Sequence, residues 1–191
     1  MRTNPVWNRR GELLALRWND VDLSSGTIVV RRSLQETRDG LTFKPPKTAK
    51  GQRRVTLPAM TTEALRRHRA AQSEQRLALG DAWSRDPEDL VFPLADGRPW
   101  PPDSFSSAFK ELVARCGMPT LRLHDLRHTH ATQLLRQGIN VKVVSERIGH
   151  STTAFTMDTY AHVLPGMQED AAARVDEALR KALGDAPGSS A

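Results

Sequence analysis

Four side chains in the last third of the sequence have the types and spacing to cut a phosphodiester: His124 and Arg127 in His-Asp-Leu-Arg, His150 after Gly149, and Tyr160. His150 follows His124 by 26 residues, and Tyr160, the one tyrosine of the chain, follows His150 by 10. A phenol ionises near pH ~10, so it attacks at neutral pH only where cations favour the phenolate and the negative transition state. An arginine in the first turn of a helix supplies such a cation. Its planar fork holds two non-bridging oxygens, and the free N–H groups of that turn favour the same anion.

Each group has a plainer reading beside the chemical one. His-x-x-Arg also describes a basic first turn on an ordinary surface helix. A lone tyrosine on an amphipathic helix also packs half-buried with its hydroxyl at the edge. His128 and His130 raise the question of a metal, since His124 and His128 are four residues apart on one helix face. The glutamate of H-E-x-x-H is missing, however, and no cysteine or further carboxylate ligand stands nearby. No metal and no cofactor are assigned, and His128 is read as packing beneath the helix or orienting a neighbour.

The elements that must position these groups are helical. Apolar spacing predicts helices at roughly 103–116, 125–137, 141–148 and 153–161, separated by Gly117, Gly138 and Gly149. Ahead of them, residues 9–18 read as a short helix with Leu13, Leu14, Leu16 and Trp18 at three- and four-residue spacing, ended by Asn19-Asp20. Ser25-Gly26 turns the chain into the β-branched run Thr27-Ile28-Val29-Val30, Asp39-Gly40 marks a tight turn before Leu41-Thr42-Phe43, and residues 53–57 form a third strand. Together these predict a small antiparallel sheet of three strands. Residues 61–79 read as a long surface helix capped by Thr61 or Thr62 and stopped by Gly80. Residues 86–103, rich in proline, form a loop holding Leu90-Val91-Phe92. A last amphipathic helix at 168–183, acidic early and basic late, precedes a loose tail at 186–191. The fold class expected is α+β, mostly α-helical, in one domain.

Composition narrows the partners. A formal charge of +6 and a pI near 10.1 favour a polyanion, while 26% charged residues of both signs make a mixed surface. Cys116 is the single cysteine, which excludes an intramolecular disulfide and a Cys-based zinc cluster and suits a reducing compartment. No run of eighteen apolar residues occurs. A soluble, cytoplasmic protein without membrane attachment is expected.

Taken together, the motifs Arg127-His-Thr-His-Ala-Thr, Val144-Ser-Glu-Arg-Ile-Gly-His150-Ser and Thr156-Met-Asp-Thr-Tyr160-Ala-His162-Val resemble the C-terminal motifs of the tyrosine recombinases, the phage-integrase family. The likeness extends forward. Arg9-Arg10-Gly11-Glu12, followed by an apolar helix and Trp18-Asn-Asp20, looks like the family's first arginine box. Pro46-Lys47-Thr48 followed by Arg53-Arg54-Val-Thr-Leu-Pro looks like its mobile strand-turn-strand. The resemblance covers about 9–164, with five motifs in family order.

What the resemblance implies is a catalytic set of Arg9, Lys47, His124, Arg127, His150 and the nucleophile Tyr160. Tyr160 would leave a 3′-phosphotyrosine link and a free 5′-hydroxyl while Arg9 and Arg127 hold the pentacoordinate charge. His124 would move the proton at the nucleophile, His150 would bind a non-bridging oxygen, and Lys47, or else Lys44 or Lys50, would protonate the leaving 5′-oxygen. Glu12 would be a structural partner for arginine side chains. Lys44, Lys50, Arg53, Arg54 and Arg122 are expected to contact DNA. Family analogy also implies double-stranded DNA as partner, a tetramer on DNA, and a last helix docking on a neighbouring protomer. The expected division is a catalytic domain at 1–184 and a flexible tail at 185–191. The family's N-terminal DNA-clamping domain and first catalytic-domain helix have no counterpart, and Val6-Trp7-Asn8 replaces its glycine turn before the first arginine. A truncated integrase, or an inactive DNA-binding remnant of one, is the expectation; a type IB topoisomerase-like enzyme is the competing class.

Overall fold

The computed structural model of the chain describes residues 7–46, 51–84, 88–161 and 167–184, apart from the side chains of 7–9, 167, 168, 170 and 184. Seven α-helices and five short strands occur among these residues: α1 Trp7–Leu14, β1 Val21–Asp22, β2 Thr27–Val30, β3 Ser33–Thr37, β4 Gly40–Lys44, β5 Arg53–Thr56, α2 Ala59–Leu79, α3 Pro102–Arg115, α4 Leu123–Arg136, α5 Val141–Ile148, α6 Thr153–Tyr160 and α7 Met167–Gly184. The architecture is α+β and mostly helical, as the sequence predicts.

The strands form two sheets rather than the single three-stranded sheet expected from the turns. One sheet runs β1-β2-β5 and the other is the hairpin β3-β4. β2 pairs antiparallel with β5 in the register Thr27 to Thr56 and Val30 to Arg53. The predicted strand Leu41-Thr42-Phe43 instead pairs with its sequence neighbour, Leu34 opposite Phe43 and Thr37 opposite Gly40. A two-residue connection, Arg38-Asp39, closes that hairpin, so local pairing costs little loop entropy.

Helix α1 ends at Leu14, earlier than its apolar spacing suggests, because Arg17 pairs in an isolated bridge with Leu90 of the proline-rich loop. Trp18 N–H and Val91 N–H also donate to Asp89 and Leu16 carbonyls across the same seam. Thr62 does not cap α2. It lies inside the first turn, where its hydroxyl donates to the Pro58 carbonyl, and Pro58 holds the cap position.

Three apolar clusters hold these parts together. Leu14, Ala15 and Leu34 seat α1 on the hairpin, flanked by Phe43, Trp100 and Phe105. Gly11 is required there, since any Cβ would run into the Leu34 carbonyl and the Ser33 hydroxyl. Leu16, Trp18, Val21 and Val91 join the three-stranded sheet to α2 and the loop. Ala131, Leu135, Val144, Ile148 and Tyr160 form the third cluster, inside α4, α5 and α6. The last of these clusters therefore contains the proposed nucleophile. No helix among the described residues is long and apolar enough to cross a membrane.

Candidate active site

Helix α4 begins beside a half-exposed carboxylate. Asp125 accepts the backbone N–H of Arg122 at 2.8 Å, and the Arg122 side chain folds back onto the same carboxylate at 3.0 Å. Mutual pairing lowers the Asp125 pKa and raises that of Arg122. The negative charge in the first turn suits the helix dipole, and the ordered entry sends His124, Arg127 and His128 off defined positions of the helix.

Arg127 reaches across to α5, where Nη1 donates to the Ile148 carbonyl at 2.6 Å. That carbonyl belongs to the C-terminal end of α5, where the helix leaves acceptors without helical partners. Asn140 caps the other end, accepting the Lys142 N–H at 2.8 Å. Gly149 terminates the helix in the left-handed region at φ 67°, and the reversal delivers His150 back toward α4 and α6.

His150 is fixed from behind: its Nδ1 shares a 2.8 Å hydrogen bond with the hydroxyl of Thr156, a residue with no exposed surface. The imidazole stacks on the Tyr160 ring, centroids 6.4 Å apart and planes 16° from parallel. On the other side, the Tyr160 hydroxyl shares a 3.0 Å hydrogen bond with Nδ1 of His128. His124 packs edge-on against His128 with centroids 4.2 Å apart. The phenol ring is only 2% exposed and so stands between two imidazoles.

Electrostatics disfavour the charged form of His124 and His128. Burial chiefly lowers the pKa of His124, with His128 and Arg127 adding to it, and burial followed by Arg127 lowers that of His128. The Nδ1 of His124 is buried and has no hydrogen-bond partner among the described residues. An unsatisfied buried nitrogen is costly.

The four residues singled out at the C-terminal end thus converge on one place. His128, read from sequence as packing or orienting, is the imidazole on the phenol; His124, expected to move the phenol's proton, stands one ring behind it. The backbone of Arg9 lies in α1, one helical turn ahead of Glu12, but its side chain, together with Lys47 and Lys50, lies outside the described residues.

The basic run of the hairpin divides. Lys44 ends β4 and Arg54 lies in β5, both exposed, as is Arg122. Arg53 turns inward instead: its guanidinium grips Glu12 at 2.8 and 3.2 Å, and Nε donates to the Arg147 carbonyl at 3.3 Å. Its guanidinium is thus engaged within the fold, as a bidentate fork on a largely buried carboxylate. Glu12 is the structural partner for arginine that the sequence suggests. Arg147 was not singled out; it donates to His130 Nε2 at 3.0 Å and to the Thr56 carbonyl at 2.7 Å, tying β5 to α4 and α5. No signal in the sequence marks these long-range contacts beyond the presence of Arg147 in the motif before Gly149-His150. Among the described residues no group of three or more His, Cys, Asp or Glu is placed to hold a metal ion.

This is a helical domain with two small sheets that carries His124 and Arg127 on α4, His150 in the turn after α5 and Tyr160 on α6, and comparison with known proteins specifies its class. Residues 8–167 match the phage integrase family, and the chain belongs to that family. It is 32% identical over 173 residues to a tyrosine recombinase XerC-like protein of Caldanaerobacter subterraneus subsp. tengcongensis, covering 85% of this chain and 44% of that one. It is 33% identical over 171 residues to the ICEBs1 integrase of Bacillus subtilis, covering 90% and 46%. The chain therefore spans about half the length of the curated relatives it matches. Among solved structures, the Tn1549 transposon integrase in complex with transposon right end DNA superimposes with a TM-score of 0.72 at 23% identity, covering 90% of this chain and 55% of that one. The XerA recombinase does so with 0.60 at 23% identity, covering 88% and 53%.

Proposed function

We propose that this chain is the catalytic part of a site-specific tyrosine recombinase, cutting and rejoining double-stranded DNA in integration or excision of a mobile element. The observation that carries this reading is the placement of the Tyr160 hydroxyl against His128 Nδ1, with His150 stacked on its ring and Arg127 held at the end of α5. Such a cluster has a nucleophile, an anion-binding cation and neutral imidazoles, all the chemistry that phosphotyrosine transfer requires from this half of the site.

Tyr160 attacks the scissile phosphorus and takes the 3′-phosphate. Arg127, with Arg9, balances the growing charge; His150 hydrogen-bonds a non-bridging oxygen through Nε2 while Thr156 holds its Nδ1; His124 offers its own nitrogen to the phosphate. Lys47 gives the leaving 5′-oxygen its proton. The covalent link conserves the bond, so religation to another 5′-end needs no nucleotide cofactor and no metal enters the scheme.

Lys44, Lys50, Arg54 and Arg122 contact the DNA backbone, while Arg53 holds β5 in place. Residues 1–184 constitute the catalytic domain and 185–191 a tail. Assembly is a tetramer on DNA, supported by α7, on which Val175, Leu179 and Leu183 form an exposed apolar stripe at four-residue spacing. The place of work is the cytoplasm.

The test is a nicked suicide duplex carrying the DNA that flanks the chain's own gene, assayed for a protein–DNA adduct that survives denaturation. An adduct in the parent protein that disappears in Tyr160→Phe is expected. DNA retention with no adduct in either protein contradicts the enzymatic reading and favours a binding remnant.

A further inference from the structure

Resting on that reading, we propose that His128 is the proton acceptor for the nucleophile: its Nδ1 takes the phenolic proton of Tyr160 as the phenol oxygen bonds to phosphorus. The hydrogen bond of 3.0 Å puts the acceptor nitrogen already within transfer distance of the proton to be removed. The interplanar angle of 60° between the two rings, with centroids 5.6 Å apart, makes the contact an edge meeting rather than a stack. The arrangement is locked on both sides. His124 packs edge-on against the far side of the His128 ring, and His150 stacks on the tyrosine from behind.

A proton acceptor has to be neutral before the reaction, and the surroundings of His128 favour that form. Burial comes first, and the positive charge of Arg127 on the same helix adds to it; Arg122 acts in the same sense and Asp125 opposes. From the other elements the facing groups are Tyr160 of α6 and, behind that ring, His150 of the turn after α5.

The step balances in both directions. The Tyr160 O–H bond breaks, its proton passes to His128 Nδ1, the tyrosyl oxygen–phosphorus bond forms, and the phosphorus–O5′ bond breaks. The departing 5′-oxygen receives its proton from the general acid. On religation the incoming 5′-hydroxyl gives its proton to the conjugate base of that general acid as its oxygen bonds to phosphorus, the tyrosyl oxygen–phosphorus bond breaks, and the imidazolium of His128 returns the proton to the leaving phenol. The structure thereby separates two histidines of one helix: His128 handles the phenol's proton and His124 is left to the phosphate.

Asparagine places an oxygen close to the position of Nδ1, so His128→Asn keeps a hydrogen-bond acceptor but removes basicity. With the nicked suicide duplex, adduct formation by His128→Asn at pH 7 is expected to fall by about 100-fold or more. Its rate should then climb about tenfold per pH unit as hydroxide takes over the proton, whereas the parent protein levels off above the titration of His128. Added imidazole should restore part of the rate in His128→Ala and none in Tyr160→Phe. Nitrogen-15 NMR of the parent protein at pH 8 should find Nδ1 of His128 unprotonated and Nε2 carrying the hydrogen. Parent-like rates and pH profile in His128→Asn, or a hydrogen on Nδ1, overturn the proton-acceptor role and leave the recombinase reading standing. Absence of any adduct in the parent protein overturns both.

Discussion

Arg53 in strand β5 and Glu12 in helix α1 are joined by two parallel hydrogen bonds of 2.8 and 3.2 Å, with side chains only 13% and 14% exposed. The same guanidinium donates to the Arg147 carbonyl near the end of α5, so one side chain connects three elements around the site. Loss of either partner strands the other charge in a half-buried position. Arg53→Ala and Glu12→Ala are each expected to lower unfolding stability by about 2 kcal/mol. In a double-mutant cycle measured by urea unfolding, the second change should cost far less than the first; full additivity would mean the pair is not coupled.

Arg54 is the contrasting neighbour, exposed and one position along the strand. Counterion release makes each phosphate contact visible as salt dependence. Arg54→Ala should reduce the slope of log affinity against log salt by about 1 while leaving stability within about 0.5 kcal/mol of the parent. Fluorescence anisotropy over a salt series checks both against a melting curve. An unchanged slope would remove Arg54 from the DNA face.

On the proposed mechanism, Thr156 acts through His150. Its buried hydroxyl is the partner of Nδ1, so Thr156→Val leaves the ring without its tether, and one hydrogen bond of about 1 to 1.5 kcal/mol corresponds to roughly a tenfold loss of adduct rate. Thr156→Ser retains the hydroxyl and should recover most of it. Equal rates in both variants would show that His150 orients itself by other means.

The turn that delivers His150 depends on a left-handed residue. Gly149 at φ 67° tolerates no Cβ without strain, and Gly149→Ala should cost about 1–2 kcal/mol in stability. Because the strain lies next to His150, adduct formation should fall beyond what the stability loss explains, as measured well below the melting temperature. A stable, fully active alanine variant would contradict the role given to this turn.

His124, His128 and His130 have pKa values lowered from the ordinary 6.5, in each case mainly by burial, with Arg147 next for His130. The unfolded chain therefore binds protons more tightly than the folded one. Stability from these groups is complete above about pH 6.5 and is lost as pH falls through their depressed folded values. Protonating His130 would also remove the acceptor of Arg147. Melting temperature should accordingly decline below pH 6.5, and His130→Gln, which keeps an acceptor without a titration, should decline less. A flat profile in the parent protein would contradict the partial burial of His124 and His128.

Much of the C-terminal half was legible because its boundaries are written locally. Asn140 caps α5, Gly149 reverses it, and Thr152 caps α6 by accepting the Phe155 N–H at 3.1 Å. The convergence of His124, Arg127, His150 and Tyr160 was also readable, since the motifs fall on, or in the turn between, successive short helices. The sheets were less so. β3 lies in a polar run, Ser33-Leu-Gln-Glu-Thr37, without the alternation of a half-buried strand, and its pairing with β4 is what removes Leu41–Phe43 from the other sheet. The early end of α1 depends on Leu90, more than seventy residues later, and no local signal announces it. The same holds inside the site. Tyr160 meets His128 across 32 residues because α6 packs on α5 and α5 on α4, a tertiary result that helical periodicity does not specify.

The most direct measurement of the nucleophile's identity is peptide mapping of the covalent complex. The chain is incubated with a nicked suicide duplex, the adduct is digested with nuclease and protease, and the nucleotide-bearing peptide is sequenced by mass spectrometry. A 3′-phosphonucleotide on Tyr160, with a free 5′-hydroxyl on the released strand, is the expected result. A nucleotide on any other residue, or a 5′-phosphate link, would contradict Tyr160 as the nucleophile of strand exchange.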